Sequence, residues 1–273
     1  MIHIKSNEEI EIIRKSALMV TATLTEVAKL LRPGITTESI DKMAETFIRD
    51  NGGKPSFKGY GGFPASLCIS VNQVVVHGIP GKYELKDGDI ISVDCGVFMN
   101  GFHGDHAYTF AMGNVAPEVL KLLQVTKESL LRGIEQANAN NRVGDISFAV
   151  EQYTNKQYGY GVVRELVGHG VGRKLHEDPQ VPNYGRRGDG KRLKENMVIA
   201  IEPMINLGTR DVYTMDDEWT VVTADGKPSA HYEHTVVVRK EKGEALSDFR
   251  PIEAAEQANP ELNGTYYTAL TVN

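Results

Sequence analysis

Between positions 7 and 31 apolar residues return every three or four places, at Ile10, Ile13, Ala17, Val20, Leu24, Val27 and Leu31. That spacing keeps one face of an α-helix apolar, and Ser6-Asn7 supplies a capping signal at its start. Pro33-Gly34 stops the run, Thr37 with Glu38 opens a second helix, and Gly52-Gly53 closes it. The period then changes. A glycine-rich, aromatic loop at 57–63 leads into 66–71, which reads as a strand. Further strands at 90–98 and 102–112 meet across Asn100-Gly101, and because both residues tolerate positive φ the pair predicts a two-residue hairpin turn.

The second half repeats this order. A helix follows Pro117, Gly144-Asp145 marks a break, and another helix runs to about 158. Strands are expected around Val163 and at 198–205, 219–223 and 231–239. No residue-level repeat accompanies the repeated order, so the expectation is one α+β domain over 1–250 built from two pseudo-symmetric halves, about 1–113 and 114–250. Residues 251–273 carry no catalytic signal and read as a loosely attached extension.

The N-terminus has no apolar run, and no segment approaches the roughly 18 consecutive apolar residues that a membrane helix needs. Cys68 and Cys95 are the only cysteines. They provide neither a disulfide framework nor a thiolate zinc site, and a reducing cytoplasm fits them. A net charge of -6 argues against binding nucleic acid by phosphate neutralisation. The basic run Arg186, Arg187, Lys191, Arg192 and Lys194 reads as a solvated loop.

Acidic residues inside apolar runs change the picture. A two-residue turn at Asn100-Gly101 pairs Met99 with Phe102 and, counting outward, Gly96 with Asp105. Asp94 then shares a sheet face with Asp105 as a diagonal neighbour roughly 7–8 Å away. Glu202, in Met197-Val198-Ile199-Ala200-Ile201-Glu202, and Glu233, just before Thr235-Val236-Val237-Val238, repeat the anomaly in other predicted strands. Carboxylates in such surroundings are costly without a cation or hydrogen bonds. His169 lies in Gly168-His169-Gly170-Val171-Gly172, where glycines would let the backbone bend tightly around one imidazole. This run lacks the lysine and serine of a phosphate loop, and His176-Glu177-Asp178-Pro179-Gln180 lacks the second histidine of a zincin helix. Four carboxylates and one imidazole suit manganese, iron, cobalt or zinc, and four negative charges balance two divalent ions.

The stretches Val76-His77-Gly78-Ile79-Pro80, 89–96, Gly101-Phe102-His103-Gly104-Asp105, Gly168-His169-Gly170-Val171-Gly172, His176-Glu177-Asp178-Pro179, Ile201-Glu202-Pro203-Met204 and Tyr232-Glu233-His234-Thr235 resemble, in order and spacing, the type I methionine aminopeptidases of the short bacterial kind. The resemblance covers about residues 4–239. It implies the pita-bread fold, a curved and mostly antiparallel sheet with helices on its outer face. It also implies removal of the N-terminal methionine from nascent polypeptides and peptides when the second residue is small, by a hydroxide activated between two divalent ions (cobalt, manganese, iron or zinc). By the same resemblance Asp94 holds one ion, His169 and Glu202 the other, and Asp105 and Glu233 bridge them. Glu202 shuttles a proton, while His77 and His176 contact substrate and act in catalysis. Tyr60, Phe63, Cys68 and Trp219 match the methionine pocket. A monomer in transient contact with the ribosome, without membrane or direct nucleic-acid recognition, is the expected setting.

Leu175 stands where the family often carries an aromatic residue. His231 falls, by strand alternation, on the face of Glu233, where it either perturbs the metal site or hydrogen-bonds a ligand. The rival readings are a proline-directed aminopeptidase of the same fold, usually longer at its N-terminus, and a non-catalytic binding protein on that fold.

Overall fold

The first helix, α1 (Asn7–Leu30), is set by its cap and its stripe. The Ser6 hydroxyl accepts the Glu9 amide while the Glu9 carboxylate accepts the Ser6 amide, and Ile10, Ile13, Ala17, Val20, Leu24 and Val27 are all buried. A second helix, α2 (Thr37–Asp50), is capped by Thr36 and followed by Gly52 at φ 79°. The computed structural model describes residues 2–263.

Behind α1 lies the hairpin of Ile90–Met99 and Phe102–Ala111, turned by Asn100 at φ 53° and Gly101 at φ 87°. A Cβ on Gly104 would collide with the backbone of Ala17, so glycine is what lets the helix sit directly on the strand. Leu67–Val71 and Lys54–Pro55 complete this antiparallel sheet. A second antiparallel sheet contains Gly168–Gly170, Glu177–Val181, Val198–Ile201, His234–Val237 and Glu244–Ala245. Two smaller sheets are built from Gly161–Val162, Met204–Asn206 and Ser229–His231, and from Val74–Val76, Val212–Thr214 and Val221–Thr223. The two large sheets join through one side chain and one backbone bond. Thr235 Oγ1 accepts the Asp105 amide at 3.0 Å and donates to the Asp105 carbonyl at 2.7 Å, and the Glu233 amide donates to the Ala107 carbonyl.

The second half also starts with two helices, α3 (Pro117–Glu135) and α4 (Val143–Glu151), the latter continuing as a π-helical turn at Gln152–Gln157. Gly144-Asp145 is not a break. Asp145 closes the first turn of α4 by accepting the Arg142 amide, and Gly144 is small because the carbonyls of Arg186 and Asp189 press against it. The break lies earlier, at 136–142. Neither 198–205 nor 231–239 is one strand: the first divides at Glu202-Pro203 and the second at Tyr232-Glu233.

Residues 250–262 are docked rather than loosely attached. Helix α5 (Arg250–Ala258) buries Ile252 and Glu256, and the Asn259 side-chain amide donates to the Ala28 and Leu31 carbonyls. The rest of the expected extension, 264–273, lies outside the described residues. Among the described residues no helix is long and apolar enough to cross a membrane, and Arg186, Arg187, Lys191, Arg192 and Lys194 lie exposed, as a solvated loop requires.

Candidate metal centre

The hairpin ladder runs without interruption and pairs Gly96 with Asp105 and Asp94 with Ala107, as the turn geometry predicts. Asp94 and Asp105 therefore emerge on one face, and both line a cavity of about 980 Å³. Glu202 and Glu233 reach the same cavity by another route. Ile201 pairs with His234 in one sheet while Met204 pairs with His231 in another, so each chain run changes sheets at its acid. Pro203 has no N–H for a ladder, and the Glu233 amide turns to Ala107 instead of across the pair. The corner carbonyls are held by side chains. Asn183 donates to the Glu202 carbonyl at 3.0 Å, and His106 Nδ1 donates to that of Glu233.

His169 sits in a short strand and not in a bend. Its flanking glycines are needed for close approach, because a Cβ on Gly168 or Gly170 would strike the carbonyl of Ala200 or Asp178 on a neighbouring segment. Its Nδ1 donates to the Gly170 carbonyl at 2.9 Å, which leaves the Nε2 lone pair facing Glu202 Oε1 at 3.5 Å and Asp105 Oδ2 at 3.8 Å. Donor atoms of Asp105, His169 and Glu233 all lie within 4.8 Å of one another.

The electrostatics follow from this crowding. Burial, and then the Asp105 charge, push the Asp94 and Glu233 carboxyls well above their usual range, and the same two causes act on Glu202. Asp105 is pushed up to about 7 by burial. Burial holds His169 neutral, pushing it down to about 3. Among the described residues Asp94 Oδ1, Asp105 Oδ1 and Glu233 Oε1 are buried without a hydrogen-bond partner. Among the described residues no basic side chain stands between these four carboxyls and the imidazole lone pair, so in their ionised forms they repel one another. Divalent cations satisfy every orphaned donor at once, so the residues fit the metal that the sequence implies.

Two walls of the cavity differ in character. Phe57, Phe63, Ala65, Cys68 and Leu175 form a buried apolar cluster with Ile79 and Trp219 packed on it, and Phe63 meets Trp219 edge-on at 5.1 Å. Leu175 thus fills the apolar wall that its sequence position put in question. Tyr60, expected beside these residues, is 46% exposed at the rim, and its hydroxyl lies 2.7 Å from His176 Nδ1. The ring of His176 meets that of His169 edge-on at 4.3 Å. His77 adopts φ 58° just after Val74–Val76, an uncommon conformation for a residue with a Cβ, and it too lines the cavity. Burial and the nearby His176 push its pKa down. His231 Nε2 stands 3.9 Å from Glu202 Oε2, too far for the expected hydrogen bond to a ligand.

Sequence reasoning did not find Phe57, Ala65, Asn183 or His106. Phe57 lies in the aromatic loop already singled out. Ala65 lies just past that loop, and Asn183 and His106 carry no local signal, since their partners are distant in the chain.

Comparison with known proteins agrees with this geometry. The model for metallopeptidase family M24 matches residues 11–240. Methionine aminopeptidase of Clostridium perfringens is 55% identical over 247 residues, 90% of this chain and 99% of that one. Methionine aminopeptidase 1 of Bacillus subtilis is 51% identical over 238 residues, 87% and 96% of the two chains. The crystal structure of methionine aminopeptidase from Thermotoga maritima superposes with a TM-score of 0.89 at 41% identity, covering 91% of this chain and 100% of that one. Prolidase from Pyrococcus furiosus shares the fold, with a TM-score of 0.74 at 24% identity, but this chain covers 65% of it. The architecture is the pita-bread fold.

Proposed function

Because the chain belongs to metallopeptidase family M24, with methionine aminopeptidases at 50–55% identity among its relatives, we propose that it removes the N-terminal methionine of nascent proteins and peptides whose second residue is small. The observation that carries this reading is the convergence of Asp94, Asp105, His169, Glu202 and Glu233, with buried carboxylate oxygens left without hydrogen-bond partners, beside a closed apolar wall. Members of this family use divalent metal, and two ions would be held here by Asp94, Asp105, His169, Glu202 and Glu233. When bound, the ions supply Lewis acidity and lower the pKa of water.

The remaining work falls to the chain's own side chains. Phe63, Cys68, Leu175 and Trp219 receive the methionine side chain, where aromatic and sulfur-bearing surfaces suit a flexible thioether. Tyr60 fixes the His176 ring through its hydroxyl, and His176 donates a hydrogen bond to the scissile carbonyl oxygen as negative charge develops there. Glu202, which faces the cavity, carries a proton from water to the departing nitrogen. His77, held by its unusual backbone, orients the amide of the second residue. Cys68 and Cys95 are free and buried, which fits a reducing cytoplasm.

The test is turnover of Met-Ala-Ser and Ala-Pro peptides by cobalt- or manganese-loaded protein. Cleavage of the first alone is expected. Preference for the Ala-Pro peptide would make this a proline-directed peptidase, and no turnover of either would favour a binding protein.

A further inference from the structure

We propose that His231 is a further ligand of the metal centre, a nitrogen donor to the ion that His169 and Glu202 hold. The inference rests on the metallopeptidase reading above and deepens it. His231 ends the strand Ser229–His231, is 1% exposed, and lines the same cavity. Its backbone is fixed from both sides by one hydroxyl: its amide donates to Thr109 Oγ1 at 3.1 Å, and that hydroxyl donates to its carbonyl at 2.6 Å. Pairing with Met204 holds it opposite the strand that begins just after Glu202. The backbone that carries the imidazole is thus firmly placed.

What it faces is telling. Its Nε2 is buried with no hydrogen-bond partner among the described residues, and the nearest charged atom is Glu202 Oε2 at 3.9 Å. That is beyond hydrogen-bond length. It is within the reach of two atoms bound to one cation at a wide angle, since two bonds of about 2.0–2.2 Å separate their ends by at most about 4.4 Å. His169 Nε2 stands off Glu202 Oε1 and Asp105 Oδ2 by 3.5 and 3.8 Å, the same range. Glu202 therefore has an imidazole nitrogen at a cation-sharing distance from each of its two oxygens. A second imidazole moves the donor set toward nitrogen, which favours cobalt, zinc or iron over manganese on that side of the centre.

The experiment is a Co²⁺ titration of metal-stripped wild type, His231→Gln and His231→Ala, followed by calorimetry and by visible absorption. Wild type is expected to take two ions. Both variants should bind one of them at least about 10-fold more weakly and show an altered cobalt spectrum, and added imidazole should restore both properties to His231→Ala. X-ray absorption of the cobalt-loaded wild type, which needs no variant, should show an average of one imidazole per ion. Variants with wild-type isotherms and spectra, or half an imidazole per ion, overturn His231 as a ligand while leaving the metallopeptidase reading intact. A wild type that takes up no cobalt overturns both.

Discussion

The four acids of the centre reach it in two different ways. Asp94 and Asp105 stand on an unbroken ladder whose register follows from a two-residue turn, backed by α1 at the contact between Gly104 and Ala17. Glu202 and Glu233 stand at corners where the chain leaves one sheet for another, and side chains of Asn183 and His106 hold their carbonyls. The hairpin acids are rigid because backbone hydrogen bonds alternate their side chains across a sheet. The corner acids are rigid only as far as their supports are. In exchange, a corner can aim a carboxylate into a space that no flat ladder faces. A centre closed on several sides needs both kinds.

Perturbing each side in turn tests this contrast. The largest effect is expected at a corner acid itself. Glu202→Gln keeps the shape but removes both the proposed proton carrier and a proposed ligand charge, and kcat of the metal-loaded variant on Met-Ala-Ser should fall by about 10⁴-fold; a loss below tenfold would contradict the role given to Glu202. Next comes the hairpin's backing. Gly104→Ala forces a Cβ into the Ala17 backbone and should cost about 3 kcal/mol of stability, read from denaturant unfolding; an unchanged midpoint would show that the helix yields freely. His106→Ala removes the support of the Glu233 carbonyl, and metal affinity should weaken by about 10- to 100-fold in calorimetry. Equal weakening from altering a hairpin residue whose side chain touches neither corner would erase the distinction drawn here. The smallest effect is expected for Asn183→Ala, which removes one hydrogen bond to the Glu202 carbonyl and should cost about 1 kcal/mol, seen as a modest rise in metal Kd.

The same contrast explains what was legible in the sequence. A turn of two residues fixes every pairing in a hairpin, so the common face of Asp94 and Asp105 could be counted from Asn100-Gly101. Helix α1 was equally plain, because its cap and its stripe are local. Residues 198–205 look like one strand because Val198, Ile199, Ala200, Ile201 and Ile205 are uniformly apolar. Their division at Glu202-Pro203 depends on pairing with 229–237, which lies elsewhere in the chain. The glycines around His169 suggested bending, whereas neighbouring carbonyls demand their smallness. Gly144-Asp145 misled in the same way. The supports Asn183 and His106 have partners 19 and 127 residues away, and nothing beside them in the chain announces the contact. The roles of His77 and His176 came from the resemblance of whole motifs, since a lone histidine says little.

The convergence of donors on a pair of cations is tested most directly by anomalous scattering from crystals grown with Co²⁺ or Mn²⁺. The account predicts two peaks, one beside Asp94 and one beside His169 and Glu202, with carboxylate oxygens of Asp105 and Glu233 reaching both. Crystals with no peak in the cavity, or with those side chains turned away from whatever ion is present, would contradict it.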